Sequence, residues 1–229
     1  MSGFKITELR IGKVGPLGPN AVPSGIDKTP AAGPLMARAE GFAGDEHGDT
    51  RHHGGPHKAL HAYPAAHYPA WAHDLPDRTA RFRPGAFGEN LVVEGATEGD
   101  LCLFDRYRLG GAMVEVSQSR QPCWRLNLRF DLPDMARRVQ ETGRTGWYFR
   151  VIGNGPVAPG DRAELVARPN PDWTLTRVWR LLYRDTSDHD SLTAFGALPG
   201  LPESWQRMAE ARLARGAVED WRPRLDTPG

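Results

Sequence analysis

Residues 107–118 read YRLGGAMVEVSQ, and this stretch decides the predicted fold. Leu109 and Met113 share one parity of the residue alternation, while Val114 and Val116 share the other, so the stretch reads as one strand buried on both faces. Short runs of the same kind are FKITELRIGKV (4–14), ENLVVEG (89–95) and WYFRVI (147–152). The 26 glycines and 20 prolines separate these runs with turns. Many short strands between turns predict a barrel or compact sheet rather than alternating βαβ units.

Helical patterns are concentrated in the last quarter of the chain. Before residue 168 we predict one helix over 131–143, with Asp131 as its cap and Gly143 as its stop. After the proline-rich stretch ARPNPDW (167–173), apolar spacing predicts a helix beginning at Trp173, and further helices over 190–198 and 202–216. The fold class is therefore mainly β. We predict a β-barrel domain over residues 1–168 and a small all-α unit with its tail over residues 169–229.

Composition excludes several classes of protein. The 29 basic and 28 acidic residues nearly cancel, which argues against a nucleic acid or a membrane surface as partner. The N-terminal sequence has no apolar signal region, and no apolar run approaches the roughly 20 residues of a membrane span. The two cysteines do not form a disulfide framework. We expect a cytoplasmic protein.

The stretch SQSRQPCWRL (117–126) holds the cysteine with the more unusual surroundings. Cys123 follows a proline, and Arg120 and Arg125 lie close to it along the chain. Neighbouring guanidinium groups favour the thiolate, which is both the nucleophile and the metal-binding form of cysteine. Cys102 lies in the apolar run GDLCLFD, where a small buried thiol is the usual outcome. We therefore predict that chemistry falls to Cys123 and not to Cys102.

Seven of the eight histidines lie between His47 and His73. Their spacing matches neither HExxH nor a CxxC pair, so most are expected to be surface or hydrogen-bonding residues, although a zinc site stays an alternative. In RHHGGP, paired glycines let the backbone approach a ligand, and Arg51 and His53 offer donors for an anion; an ordinary hairpin turn is the alternative reading. Lys28 and Asn90 lie on similar turns. Lys28 is either a phosphate contact or a solvated lysine. Asn90 either reads the edge of a heterocycle or caps its turn.

Six segments together resemble the YiiM-like branch of the MOSC family, named after the C-terminal domain of molybdenum-cofactor sulfurase. They occur in the family's order over residues 24–183, and the helical tail resembles that branch's three-helix appendage. The segments are SGIDKTP (24–30), GFAGDEHGDTRHHGGPHKALHAYPAAHY (41–68), PGAFGENL (84–91), VEVSQSRQPCWRLNLRF (114–130), RVQETGRTGWYFRV (138–151) and ARPNPDWTLTRVWRLLY (167–183).

The resemblance implies a barrel-like fold that binds a molybdopterin-type molybdenum cofactor. It also implies that Cys123 ligates molybdenum and that the protein reduces N-hydroxylated compounds, including hydroxylamino-purine bases. Two positions depart from the family pattern: His57 stands where an aspartate is frequent, and Ser119 where a proline is common. The expected cofactor-binding residues are Lys28, Arg51, His53, Tyr63, Asn90 and Arg120, with Tyr63 either at the cofactor mouth or in the core.

Three functions remain open at this point. The first is a molybdenum-dependent reductase, which needs an external electron-donor protein because the sequence shows no flavin, haem or iron–sulfur pattern. The second is a non-catalytic carrier of the molybdenum cofactor or its sulfur, and the third is a zinc hydrolase built on the histidines. The tail is expected to shape the pocket mouth, a donor contact or a homodimer interface. The proton-donor candidates are Asp45, His53 and His57, and the candidates for stacking on a planar substrate are Tyr63, Trp124, Trp147 and Tyr148.

Overall fold

The computed structural model describes residues 3–49 and 54–228. Within them the strands are β1 Phe4–Ile11, β2 Gly15–Leu17, β3 Val22–Ser24, β4 Thr29–Pro30, β5 Leu35–Arg38, β6 Gly41–Phe42, β7 Leu60–Pro64, β8 Leu91–Glu94, β9 Arg106–Leu109, β10 Ala112–Ser119, β11 Trp147–Gly153, β12 Gly155–Val157 and β13 Arg162–Ala167. The α-helices are α1 His67–Asp74, α2 Arg125–Phe130, α3 Met135–Thr142, α4 Leu175–Tyr183, α5 His189–Gly196, α6 Glu203–Arg215 and α7 Arg222–Leu225. Short 3₁₀ turns lie at Pro56–Lys58 and Pro76–Arg81.

Seven strands close into a barrel. Their order is β13-β9-β10-β11-β7-β8-β1, and β1 pairs back onto β13 with Phe4 opposite Ala163. The β7–β8 pair is parallel, and the other neighbours in the ring are antiparallel. Closure leaves no unpaired edge in the ring, so the strands satisfy their backbone groups within the barrel. The predicted mainly β, barrel-type fold is confirmed.

The stretch 107–118 is a hairpin and not the single strand that its apolar pattern predicts. β9 ends at Leu109 and β10 begins at Ala112, with these two residues opposite each other. Gly110 turns the chain with a φ of 55°, a conformation that costs glycine little. Burial of both faces of β10 is confirmed. Val114 and Val116 are fully buried, and the last three residues of the strand, Ser117, Gln118 and Ser119, are buried too.

Helix boundaries in the barrel part also differ from the prediction. Asp131 does not begin a helix; it follows the end of α2 in the left-handed conformation, with a φ of 50°. The next helix, α3, begins at Met135 and stops before Gly143, whose φ of 74° confirms the predicted stop. The prediction of one helix before residue 168 is wrong, because α1 and α2 also form there. Both are short and are held by packing against a core rather than by their own propensity.

The C-terminal helices pack onto the barrel and share its core. Leu175, Val178 and Phe195 belong to the same buried cluster as the barrel residues Val114 and Phe149. The chain at the junction is also hydrogen-bonded to the barrel part, because the amide of Leu103 donates to the carbonyl of residue 173 and the amide of residue 175 donates to that of residue 101. The division at residues 168 and 169 stays a prediction.

A second apolar cluster lies outside the barrel. It is formed by α1, α2, α3 and the loop before β8, and it also contains Leu225 of the terminal helix α7. This cluster positions the start of α2, which follows Cys123 directly. In the described part of the chain, no helix has the length and apolar character needed to cross a membrane.

Candidate functional site

Cys123 lies on the short connection between β10 and α2. The amide of Arg120 donates to the carbonyl of Gly146 at 3.1 Å, as the last bond of the strand pairing. Three residues later, the carbonyl of Cys123 accepts from the amide of Leu126 at 3.0 Å, in the first turn of α2. Pro122 lacks an amide hydrogen and separates the hydrogen bonds of the strand pairing from those of the helix. The thiol is therefore fixed at a strand-to-helix corner, and Cys123 is 9% exposed.

A cavity of about 600 Å³ lies on one side of Cys123. Its wall is unusually rich in basic side chains, contributed by separate loops and strands. These are Lys28, His47, Lys58, His61, Arg120 and Arg125. Two acidic residues, Glu46 and Asp49, share the wall. This excess of basic over acidic groups favours an anionic ligand. We call this space the cofactor cavity.

Arg120 supplies the clearest sign of an absent partner. The residue is 5% exposed, and its Nη1 atom has no hydrogen-bond partner among residues 3–49 and 54–228. A buried guanidinium N–H without an acceptor costs free energy, so such groups are normally paired. Because Arg120 lines the cofactor cavity, an anionic or carbonyl-bearing ligand bound there would offer an acceptor. The cavity therefore fits an anionic cofactor on a structural observation as well as on its charge.

Lys28 lies on the cavity wall, as the sequence predicts, but its charge is balanced within the protein. Its Nζ forms a buried ion pair with Asp45, which also accepts from the amide of Gly12 at 2.8 Å. Burial lowers the pKa of Lys28, and the neighbouring Asp45 opposes that shift. Lys28 is therefore a fixed part of the wall. Because Asp45 is committed to this pair, it is a poor choice as the proton donor.

Asn90 also lines the cofactor cavity, yet its amide hydrogens are already used. Its Nδ2 donates to the carbonyl of Arg10 at 3.1 Å and to Oδ2 of Asp45 at 2.8 Å. Its Oδ1 accepts from the amide of His61 at 3.0 Å. An amide nitrogen offers two donors, so Asn90 has none left to read a heterocycle edge. Its role is to hold the wall together, and the expectation of a donating contact is corrected.

Tyr63 does not lie at the mouth of the cavity. It is fully buried in the second apolar cluster, stacked on Phe87 with ring centroids 4.2 Å apart. Its hydroxyl accepts from Nε1 of Trp71 at 2.7 Å and donates to the carbonyl of Arg144 at 3.2 Å. Burial raises the pKa of Tyr63 well above its ordinary value. The core reading of Tyr63 is the one that the structure supports, which corrects its assignment to the cofactor.

Arg51 and His53 lie outside the described residues. The turn that follows them is described, and Gly54 and Gly55 have φ angles of 119° and 80°. Side chains other than glycine rarely adopt these angles. The two glycines therefore form the tight turn that the sequence predicts, and Gly54 lines the cofactor cavity.

Lys58 is a cavity residue that the sequence analysis did not select, whereas Arg125 was already noted there as a neighbour of Cys123. Lys58 follows the glycine turn, and burial lowers its pKa while the neighbouring Cys123 opposes that shift. Arg125 pairs with Asp49 at 3.4 Å, and its guanidinium lies 4.7 Å from the centre of the Trp124 ring. Lys58 had a visible signal in the sequence, because it is a cation two residues after the GGP turn.

His61 is a further cavity residue that the sequence analysis did not select. It is 4% exposed, and burial, with Arg120 adding to it, lowers its pKa well below the ordinary value. It is therefore neutral at pH 7. Among the described residues, no group of three or more His, Cys, Asp or Glu side chains is arranged to hold a metal ion. The histidines of that part of the chain do not form the zinc site of the third hypothesis.

The other candidates from the sequence divide between core and cavity. Trp147 is fully buried in the barrel core, whereas Trp124 and Tyr148 line cavities at Cys123. His57 has its Nδ1 3.2 Å from Nη1 of Arg150. Burial, and then the charge of Arg150, lowers the pKa of His57, which favours the neutral ring over a proton donor.

A second cavity, of about 1350 Å³, meets the first at the thiol. The two share Asp49, Lys58, Cys123, Arg125 and Tyr148. The remainder of its wall is Gln118, Gln121, Trp124, Ser204, Pro223 and Arg224. Ser204 lies in the first turn of α6, and Pro223 and Arg224 belong to α7. The C-terminal unit thus contributes to the pocket mouth, one of the roles that its sequence suggested.

Two family models match this chain. The family model described as the MOSC domain matches residues 49–164, which include Cys123 and most of the barrel. The model described as the YiiM-like, 3-alpha helix domain matches residues 173–216. The protein YiiM of Escherichia coli (strain K12) is 39% identical over 211 residues, which cover 90% of this chain and 92% of that protein. The chain belongs to the YiiM-like MOSC family.

A solved structure and one further relative agree with the family assignment. The crystal structure of YiiM from Escherichia coli superposes with a TM-score of 0.79, covering 94% of this chain and 100% of that chain at 35% identity. A protein of Gibberella moniliformis (strain M3125 / FGSC 7600) named "Reductase" is 38% identical over 180 residues, or 77% of this chain and 32% of that longer protein. MOSC domains are associated with binding of the molybdenum cofactor.

Proposed function

We propose that this protein is a molybdenum-cofactor oxidoreductase that reduces N-hydroxylated compounds such as hydroxylamino-purine bases. The observation that carries the proposal is the position of Cys123 on the wall shared by two cavities. One cavity is basic and contains an unpaired buried guanidinium N–H, and the other extends toward the C-terminal helices. A thiol at this junction can hold a cofactor on one side while a substrate approaches from the other.

The residues of the cofactor cavity suit a molybdopterin-type group. That group carries a phosphate, a hydrogen-bonding ring and dithiolene sulfurs, and a soft protein thiolate fits the metal that the sulfurs bind. Cys123 is the proposed molybdenum ligand. Arg120 is the proposed donor to an anionic or carbonyl oxygen, because its Nη1 has no acceptor within the described residues. Lys28 and Asn90 form the supporting wall, and Arg51 and His53 are proposed from their place in the sequence.

The proposed reaction is a balanced two-electron reduction. A compound R–NH–OH takes up two electrons and two protons, its N–O bond breaks, and R–NH₂ and water are released. When bound, the cofactor supplies the redox chemistry. The electrons come from an external electron-donor protein, for which reduced methyl viologen substitutes in vitro.

The chain itself contributes orientation and charge. Lys58 and Arg125 lie on the shared wall beside Cys123, with Asp49 paired to Arg125. The remaining positive charge would balance the negative charge of a thiolate that held a metal. Burial raises the pKa of Tyr148, with Arg120 opposing the shift, so its hydroxyl keeps its proton at pH 7. Tyr148 lines both cavities and is therefore available as a neutral O–H donor. The reductase name of the fungal relative supports an enzyme and says nothing about the substrate.

The test combines metal content with turnover. Protein purified from cells that make the cofactor is expected to contain molybdenum and, with reduced methyl viologen, to convert 6-hydroxylaminopurine to adenine. Added duplex DNA should not compete. Bound molybdenum with no turnover of any N-hydroxylated compound contradicts the reductase and favours the carrier of the cofactor or its sulfur. Zinc in place of molybdenum contradicts both.

A further inference from the structure

The two cavities that meet at Cys123 differ in chemistry. The wall of the cofactor cavity has more basic than acidic side chains. The part of the second cavity that it does not share has two amides, an indole, a hydroxyl, a proline and one arginine. The charge of that arginine, Arg224, is already engaged. Its Nη1 donates to the carbonyl of Pro122 at 2.6 Å, and its Nη2 donates to Oε1 of Gln140. This unshared wall therefore favours a neutral, polar ligand over an anion.

The amides of this wall are held in place. Nε2 of Gln121 donates to the hydroxyl of Tyr183 at 3.2 Å, and Tyr183 packs edge-on against Trp221 with ring centroids 5.5 Å apart. This contact leaves the carbonyl oxygen and one N–H of Gln121 for a ligand. Gln118 is 4% exposed and lies opposite Tyr148 in the β10–β11 register. A carboxamide with both a donor and an acceptor matches the edge of a purine, as Asn and Gln do with adenine in DNA.

Flat surfaces accompany the amides. Trp124 and Tyr148 line the second cavity and are each half-buried. Aromatic faces bind planar bases with little dependence on their identity. Arg125 lies over one face of Trp124, which fixes the indole beside the thiol.

We propose that the second cavity is the substrate chamber, and that Gln118 and Gln121 recognise the hydrogen-bonding edge of a planar N-hydroxylated heteroaromatic amine while Trp124 and Tyr148 contact its face. This proposal rests on the proposed reductase function and adds the place where the substrate binds and the residues that select it. The C-terminal unit closes the chamber through Ser204, Pro223 and Arg224. The helical unit then shapes substrate selection and takes no part in the redox step.

The experiment compares two N-hydroxylated substrates in one variant. Gln121→Leu should raise the KM for 6-hydroxylaminopurine about tenfold, because a buried polar group of the base loses its partner, and should leave kcat within about twofold. Hydroxylamine has no ring, so its kcat/KM should not change. The matched control is Gln206→Leu on α6, which is outside both cavities and should leave both substrates unaffected. An equal loss of kcat/KM for the two substrates, or no loss for the purine, would contradict the assignment of the second cavity as the substrate chamber.

Product binding separates failure of the chamber from failure of the reductase. Adenine binding to the purified protein, followed by tryptophan fluorescence, should weaken about tenfold in Gln121→Leu and remain unchanged in Gln206→Leu. Weaker adenine binding in Gln121→Leu alone, without any reduction of N–OH compounds, supports the substrate chamber and contradicts the proposed function. Reduction of 6-hydroxylaminopurine with adenine binding and KM unaffected by Gln121→Leu contradicts the chamber and leaves the reductase standing.

Discussion

Nη1 of Arg224 donates to the carbonyl oxygen of Pro122 at 2.6 Å, across 102 positions of the sequence. A second hydrogen bond runs in the opposite direction one residue after Cys123, where the amide of Trp124 donates to the carbonyl of Arg224 at 2.8 Å. The terminal helix α7 therefore holds the chain on both sides of Cys123. Residues 217–228 lie beyond both matched family regions, yet they contact the corner that carries the proposed metal ligand.

Loss of the Arg224 contact should loosen Cys123 in the cofactor-free protein. In a Cys102→Ser background, we expect Arg224→Met to speed alkylation of Cys123 by iodoacetamide about tenfold or more, since a hydrogen bond to a charged group contributes roughly 1.5–3 kcal/mol. Arg222→Met is the matched control, because Arg222 lies on the same helix and pairs with Asp220 on the surface. Equal alkylation rates in the two variants would show that α7 does not hold the corner.

The two cysteines should have separate phenotypes. Cys123→Ala is expected to abolish reduction of N-hydroxylated compounds with the fold intact, because the proposed metal ligand is removed. Cys102→Ser should leave turnover largely unchanged. Cys102 is 1% exposed, its Sγ donates to the carbonyl of Pro171 at 3.4 Å, and burial raises its pKa. Molybdenum content and activity of both variants check the assignment, which reversed phenotypes would contradict.

Arg120→Ala should affect the loaded and the cofactor-free protein differently. We expect loss of retained molybdenum cofactor, because a charge-assisted contact of roughly 1.5–3 kcal/mol disappears. The melting temperature of the cofactor-free protein should fall little or rise, since Nη1 has no acceptor in the described part of the chain. The control is Arg108→Ala, which removes an exposed pair with Glu164. Full cofactor content with a raised KM would instead move Arg120 to the substrate side.

The Lys28–Asp45 pair should be a strong determinant of stability. Asp45→Ala leaves the buried Lys28 ammonium without its partner and removes the acceptor for Gly12 and Asn90. We expect a loss of about 3–5 kcal/mol in the free energy of unfolding, measured by urea denaturation. Glu164→Gln, which breaks the exposed pair with Arg108, should cost about 1 kcal/mol or less. Comparable losses in the two variants would contradict a structural role for the buried pair.

His61 should make the folded protein less stable in mild acid. Its pKa is lowered well below 6.5 by burial, so between about pH 6.5 and 5 the unfolded chain binds a proton that the folded protein does not. Stability is therefore lost as the pH falls, with a slope from this group of up to about 1.4 kcal/mol per pH unit. In His61→Phe, urea denaturation at several pH values should show a shallower slope. An unchanged slope would show that His61 titrates normally in the folded state.

Local sequence patterns were sufficient for most of the fold. Short apolar runs between glycines and prolines predicted the barrel strands β1, β8, β9, β10 and β11, but not β7 or β13. Spacing of three and four residues predicted the C-terminal helices. The helix boundaries failed where two short helices meet at Asp131, because its left-handed conformation depends on packing of α2 and α3. The hairpin at Gly110 was missed because its flanking strands have apolar residues of both parities, which hid the reversal.

The site was predicted in part because some of its residues lie on glycine and proline turns. Such turns can be read locally, and they selected Lys28, Arg120 and Cys123, which line one cavity in the structure. The role of Asn90 and the core position of Tyr63 were not readable, since both depend on hydrogen bonds between residues far apart in sequence. Lys58 and His61 line the cavity only because closure of the barrel places the 3₁₀ turn at Pro56–Lys58 and strand β7 beside β11.

The sequence by itself determined the family and the barrel with its helical unit, and it predicted Cys123 rather than Cys102 as the functional cysteine. These depend on local patterns and on motifs that stand contiguous in the chain. Only the tertiary structure decided that two cavities of different chemistry meet at the thiol and that Arg224 holds its corner. Those relationships join residues separated by most of the chain. They arise from strand pairing and core burial, whose free energy depends on the whole folded chain and leaves no local pattern in the sequence.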